Sequence, residues 1–119
     1  MSETREAVLL RVFIGESDRY GGHPLYEAIV LRARELHIAG ATVLRGPLGF
    51  GRSSHLHTSK ILRLSFDLPI VIEIVDEQQN IERLLSELDR MISSGLVTFE
   101  KVRMRTIEQA NRLASNVRG

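Results

Sequence analysis

The sequence predicts an α+β fold in which a strand–helix–strand pattern occurs twice. Three observations predict it. Apolar residues alternate at period two in residues 8–14 and 69–75, the spacing of a strand with two distinct faces. They recur at helical spacing in residues 24–39 and again from Ile81 to Ile92. The two patterns are separated by about twenty residues, 47–67, that follow neither period, and connections of that length are uncommon in compact domains unless they serve a function.

Residues 8–14 (VLLRVFI) put Leu10, Val12 and Ile14 on one face and Leu9, Arg11 and Phe13 on the other. Gly15 ends this strand. Residues 16–23 are turn chemistry, punctuated by Gly21-Gly22. Pro24 suits the first turn of a helix, where its missing N–H costs nothing. Leu25, Ala28, Ile29, Ala33 and Leu36 form the stripe of that helix, and Gly40 is its expected stop. Ala41–Arg45 is the second strand, closed by Gly46-Pro47. Residues 69–75 (PIVIEIV) are the third, with Ile70, Ile72 and Ile74 on one face. Asp76 and Gln79 stand at capping-box spacing. Ile81, Leu84, Leu85, Leu88, Met91 and Ile92 make the second helical stripe, with Gly95 as its stop. Leu96–Met104 is the last strand, and the break in alternation at Glu100-Lys101 suggests a bulge. Ile107, Ala110, Leu113, Ala114 and Val117 keep helical spacing and predict a short C-terminal helix over 106–119.

Two βαβ units joined in this way fold as βαββαβ, the ferredoxin-like arrangement: a four-stranded antiparallel sheet with two helices on one face. The chain of 119 residues reads as one domain, 1–119, with a core over 8–104, a long loop over 47–67 and a tail over 105–119. The second sheet face keeps Leu9, Phe13, Val71 and Val75. A half-covered apolar sheet predicts a partner, and another copy of the chain is the simplest one.

Composition narrows the function. No run of the ~20 apolar residues needed for a membrane span is present, so direct membrane insertion is not expected. Residues 1–6 are polar and carry acids, unlike a signal peptide. Cysteine is absent, which excludes disulfides, thiolate metal sites and thiol catalysis and suits the cytoplasm. The net charge of +1 does not call for nucleic acid. The cations are 14 Arg against 2 Lys, and arginine offers a planar fork for phosphate or carboxylate.

The excursion is the first functional candidate. It opens as Arg45-Gly46-Pro47-Leu48-Gly49-Phe50-Gly51-Arg52-Ser53-Ser54. Glycines let backbone N–H groups approach a phosphate closely, and the flanking Arg45 and Arg52 can add charge-assisted hydrogen bonds. A plain glycine-rich turn is the bland alternative. The spacing is neither a Walker loop nor a dinucleotide fingerprint. His55 and His57 are two apart, but no cysteine or close acid completes a metal's ligand set, so no metal site is assigned. Ser53, Ser54, His55 and Asp67 share the excursion without a nucleophile elbow or an oxyanion hole, so no catalytic residue is assigned.

The segments ATVLRGPLGFGRSS and LPIVIEIVDEQQNIERLL resemble the second strand, loop start, third strand and second helix of PII-type signalling proteins. The whole of 8–104 is more similar still to a PII-like family of uncharacterised bacterial and archaeal proteins. The pieces that carry the resemblance are Gly15-Glu16, Gly22-His23-Pro24-Leu25, Thr42-Val43-Leu44-Arg45-Gly46, Gly49-Phe50-Gly51, and Asp67-Leu68-Pro69 through Val75-Asp76.

The resemblance implies a homotrimer with an adenine nucleotide, AMP, ADP or ATP, in each intersubunit cleft. Gly49, Phe50, Gly51 and Arg52 would lie against the nucleotide. Arg103-Met104-Arg105 matches an Arg-x-Arg pair that contacts phosphates, with Arg45 adding charge at the loop root. Binding would switch the loop over 47–67, which would meet a partner such as a membrane transporter or channel. The chain also departs from the PII pattern. Its counterpart of the phosphate-holding glycine loop is only Ser93-Ser94-Gly95, Ser53-Ser54-His55 replaces Gln-Lys-Gly, and the loop's modified tyrosine is missing. A metal- or anion-binding trimer, like the copper-tolerance proteins of similar fold, and an interaction module without a ligand are the alternative readings.

Overall fold

The computed structural model describes residues 3–51 and 67–108. Its elements are β1 (Arg5–Gly15), β2 (Arg19–Tyr20), β3 (His23–Pro24), α1 (Leu25–Glu35), β4 (Ala41–Arg45), β5 (Pro69–Asp76), α2 (Gln78–Met91) and β6 (Leu96–Met104). Four strands form one antiparallel sheet in the order β4-β5-β1-β6. This is the expected βαββαβ topology, with β1 and β5 in the centre and β4 and β6 at the edges.

The core lies on one side of the sheet. Leu10, Val12, Ile14, Ile70, Ile72 and Ile74 face it from the strands. Leu25, Ile29 and Ala33 of α1 and Ile81, Leu84, Leu88 and Met91 of α2 close it from above. The alternation read from the sequence therefore sorts these strand residues correctly, because the side-chain period of a strand is two.

Among the described residues no helix packs on the other face, which has a clear order. Leu44, Val71, Phe13 and Leu96 stand opposite one another across all four strands, a continuous apolar row. In the next row Arg11 lies between Glu73 and Thr98. Its guanidinium donates to Glu73 Oε2 at 2.9 Å and to Glu100 Oε1 at 3.2 Å. These hydrogen bonds, the one to Glu73 first, hold Arg11 charged even more firmly than usual.

Several local expectations change. β2 and β3 pair as a small hairpin about Gly21-Gly22, whose φ values of 57° and 82° suit a primed turn. Pro24 is the residue before α1 and not part of its first turn. α1 stops earlier than Gly40: His37 takes a left-handed φ of 60°, with Ile38 N–H donating to Ala33 O and His37 N–H to Arg34 O, both at 3.0 Å. That is a Schellman ending built on a histidine in place of a glycine.

Asp76 does not cap α2 in box fashion. It is buried, and its carboxylate accepts from Glu77 N–H at 2.6 Å, Asn80 Nδ2 at 3.0 Å and Ala39 N–H at 2.9 Å, tying α2 to the segment before β4. α2 ends at Met91, and Gly95 serves a different purpose: a Cβ there would lie 3.0 Å from Ile92 Cγ2 and 3.1 Å from Phe13 O. β6 pairs with β1 in unbroken register from Leu96 to Met104, so the expected bulge is absent. Thr106, Ile107 and Glu108 are not helical, and the rest of the expected C-terminal helix lies outside the described residues. The described residues contain no helix long and apolar enough to cross a membrane.

Candidate functional site

The root of the excursion is built from three segments that meet at one end of the sheet. β4 delivers Arg45 and Gly46, β5 begins at Pro69, and β1 finishes at Gly15. Backbone hydrogen bonds join them: Gly46 N–H donates to Pro69 O and Glu16 N–H to Leu68 O, each at 2.8 Å. Ser17 N–H donates to Asp67 Oδ1 at 3.1 Å and Gly15 N–H to Asp18 Oδ2 at 3.0 Å. The Pro69 ring fills the notch left by two glycines. A Cβ on Gly46 would lie 2.9 Å from Pro69 Cγ, and one on Gly49 would lie 3.1 Å from it. Gly49 also has φ of +153°, which L side chains rarely adopt.

The predicted site residues divide into two groups here. Arg45 is at the root, but its guanidinium is ion-paired with Glu16 Oε2 at 2.6 Å. Gly49 and Gly51 follow, and Phe50 is exposed beside them. Arg52, His55 and His57 lie outside the described residues.

Arg103 lies in β6 opposite Glu6 of β1, and its guanidinium donates to Thr4 Oγ1. Arg105 follows the end of β6 and is exposed.

The two groups do not meet within one chain. Arg45 is on one edge strand, level with Ile70 and Ile14, and Arg103 is on the other edge, level with Glu6. Three strand spacings and eight residue steps put them roughly 30 Å apart, at diagonal corners of the sheet. That exceeds the reach of a single mononucleotide.

Glu16 and Phe99 went unassigned in the sequence. Glu16 had a signal, since it follows the strand-ending glycine near a cation-bearing loop. Phe99 had one too: strand alternation puts it on the face of Leu10, its register partner. Among the described residues, no group of His, Asp and Glu is placed to hold a metal ion.

The DUF190 family, described as Uncharacterized ACR, matches residues 7–104. A UPF0166 protein of Aquifex aeolicus is 38% identical over 94 residues, covering 79% of this chain and 89% of the relative. A UPF0166 protein of Methanocaldococcus jannaschii is 36% identical over 93 residues, covering 77% and 85%. Among solved structures, CPII of Thiomonas intermedia K12, a nitrogen regulatory PII-like protein bound to ADP, AMP and bicarbonate, superposes with a TM-score of 0.59 at 14% identity, over 86% of this chain and 91% of CPII. A PII-like signaling protein of Thermus thermophilus superposes with a TM-score of 0.55 at 13% identity, over 88% and 93%. Identities this low speak for the fold, and the fold is the PII-like one.

Proposed function

Because this chain belongs to the DUF190 family and has the PII-like fold, we propose that it is a regulatory protein that binds an adenine nucleotide between subunits of a homotrimer. It works by binding and not by chemistry. The observation that carries this reading is the diagonal placement of its arginines. Arg45 with Gly49, Phe50 and Gly51 forms one half-site, and Arg103 with Arg105 forms the other. One ligand can touch both halves only if they come from different copies. Arg52 is assigned to the first half by its place in the sequence.

The sheet face that no described helix covers supports assembly. Its apolar row Leu44–Val71–Phe13–Leu96 spans the whole sheet, and Leu44 and Leu96 are exposed at its two ends. Burying such a row against other copies is favourable at ~25 cal/mol per Å². The adenine nucleotide is supported by CPII, which shares the fold and was solved with ADP and AMP. Binding at the root of the excursion then biases how residues 47–67 meet a partner, through differential affinity for two states of the protein. A membrane transporter or channel is the proposed partner, and the cytoplasm the proposed compartment.

Calorimetry with AMP, ADP and ATP, run beside a solution mass measurement, tests the proposal. The expected result is a mass of about three times the 13.4 kDa chain, with nucleotide bound at one site per chain. Nucleotide bound by a monomer defeats the divided site. A trimer that gives no heat with any of the three nucleotides leaves an interaction module without this ligand.

A further inference from the structure

We infer that the groove between α2 and β6 seats the base of the nucleotide, with Phe99 as the residue it stacks on. This rests on the proposed function and extends it to residues assigned neither by the sequence nor by resemblance.

α2 packs on β1 and β5, and a groove of about 410 Å³ opens between it and β6. That volume is in the range of small-molecule sites. Val8, Ile81 and Leu85 form its aliphatic wall, Phe99 stands on β6, and Glu82 and Lys101 lie at its margin. Phe99 belongs to the inner side of the sheet, yet it is 56% exposed while its register partner Leu10 is 0% exposed. Among the described residues no helix covers this aromatic ring, which offers a flat face opposite an apolar wall. A planar heterocycle fits between the two.

The chemistry along β6 selects the rest of the ligand. Phe99, Lys101 and Arg103 share one strand face, at steps of ~6.8 Å. A base on Phe99 therefore sends its phosphates past Lys101 towards Arg103, where cations meet anions. The Glu82 carboxylate, itself accepting from Gln78 Nε2 at 3.1 Å, can accept a hydrogen bond from an exocyclic amine such as that of adenine. An apolar slot that continues into a row of cations suits a nucleoside phosphate better than it suits a free anion or a greasy ligand. A second copy lying on Phe99 is the competing occupant.

Phe99→Ala and Phe99→Trp, titrated with ADP and with inorganic pyrophosphate alongside a solution mass measurement, decide the matter. Base–aromatic stacking predicts that Phe99→Ala weakens ADP by about tenfold or more. Pyrophosphate binding and the solution mass stay unchanged, and Phe99→Trp keeps the ADP affinity. Because Phe99 is exposed, the Ala variant should keep its melting temperature. Equal losses for ADP and pyrophosphate overturn the base seat, as does unchanged ADP binding. So does a lower solution mass for Phe99→Ala, which assigns the groove to another copy. If the unaltered protein binds neither ligand, the proposed function falls and takes the base seat with it.

Discussion

The two arginine-bearing corners of the sheet are held in opposite ways. At the loop root, Arg45 is clamped by Glu16 at 2.6 Å, and the backbone around it is tied across β1, β4 and β5. At the far end of β6, Arg103 touches only a threonine hydroxyl among its described partners, and Arg105 follows beyond the last strand. A cation already paired with a carboxylate must give up that contact before it can hold a phosphate. A cation with a neutral partner gives up much less. Under the proposed function, affinity would therefore come from the β6 end and shape from the loop root.

The largest expected effect lies at the β6 end. Hydrogen bonds to charged groups are the strong ones, so Arg103→Ala and Arg105→Ala should each weaken nucleotide binding about tenfold or more by calorimetry. Affinity left intact in both variants removes the phosphate role from the β6 end. Next in size is the packing of the loop root. Gly46→Ala pushes a methyl group against the Pro69 ring, and overpacking of this kind costs about 1–3 kcal/mol. A lowered melting temperature is the readout, and a melt like that of the parent chain means the notch is looser than the 2.9 Å approach implies.

A smaller effect concerns the clamp itself. Exposed ion pairs contribute up to about 1 kcal/mol, so Arg45→Ala should weaken nucleotide binding by no more than about fivefold, and Glu16→Gln should tighten it by a similar factor. Tightening in Glu16→Gln that persists in the Arg45→Ala background shows that Glu16 acts on the ligand directly. The smallest effect is a control in the helix layer. Hydrogen bonds from Arg90 and then Arg32 hold the Glu87 carboxyl below its usual range. The stabilisation from this lowering is complete above the unfolded pKa, near 4.3, and is lost as pH falls through the lower folded value. Glu87→Gln should therefore flatten the acid limb of the stability curve below about pH 4 and leave nucleotide affinity alone. An acid limb that matches the parent's assigns that limb to other carboxylates.

The fold was legible because burial sets the period. Leu10, Val12 and Ile14 could be sorted from Leu9, Arg11 and Phe13 without coordinates, and the structure buries the first set more deeply. What periodicity misses is local and backbone-made. His37 takes the left-handed ending that glycine usually supplies, and two-residue strands such as β2 and β3 are too short to show a period. The sequence suggests a bulge at Glu100-Lys101 because these two charged residues interrupt the apolar alternation of the strand. The register is unbroken, and the apparent misfit is the exposed groove itself. The site residues were legible as types but not as neighbours. Arg45 and Arg103 read alike in the sequence, and only sheet topology shows that they stand at diagonal corners.

That diagonal has a consequence for how the protein would read its surroundings. With each ligand shared between copies, occupancy depends on the abundance of the chain as well as on that of the ligand, because anything that binds only the assembled form drives assembly by mass action. Dilution alone would strip the nucleotide. A chain disabled at one corner would still co-assemble, spoil the cleft it shares through that corner, and leave the cleft at its other corner serviceable. In a mixed population the loss would therefore be graded, with the number of working clefts falling as the fraction of altered chains rises.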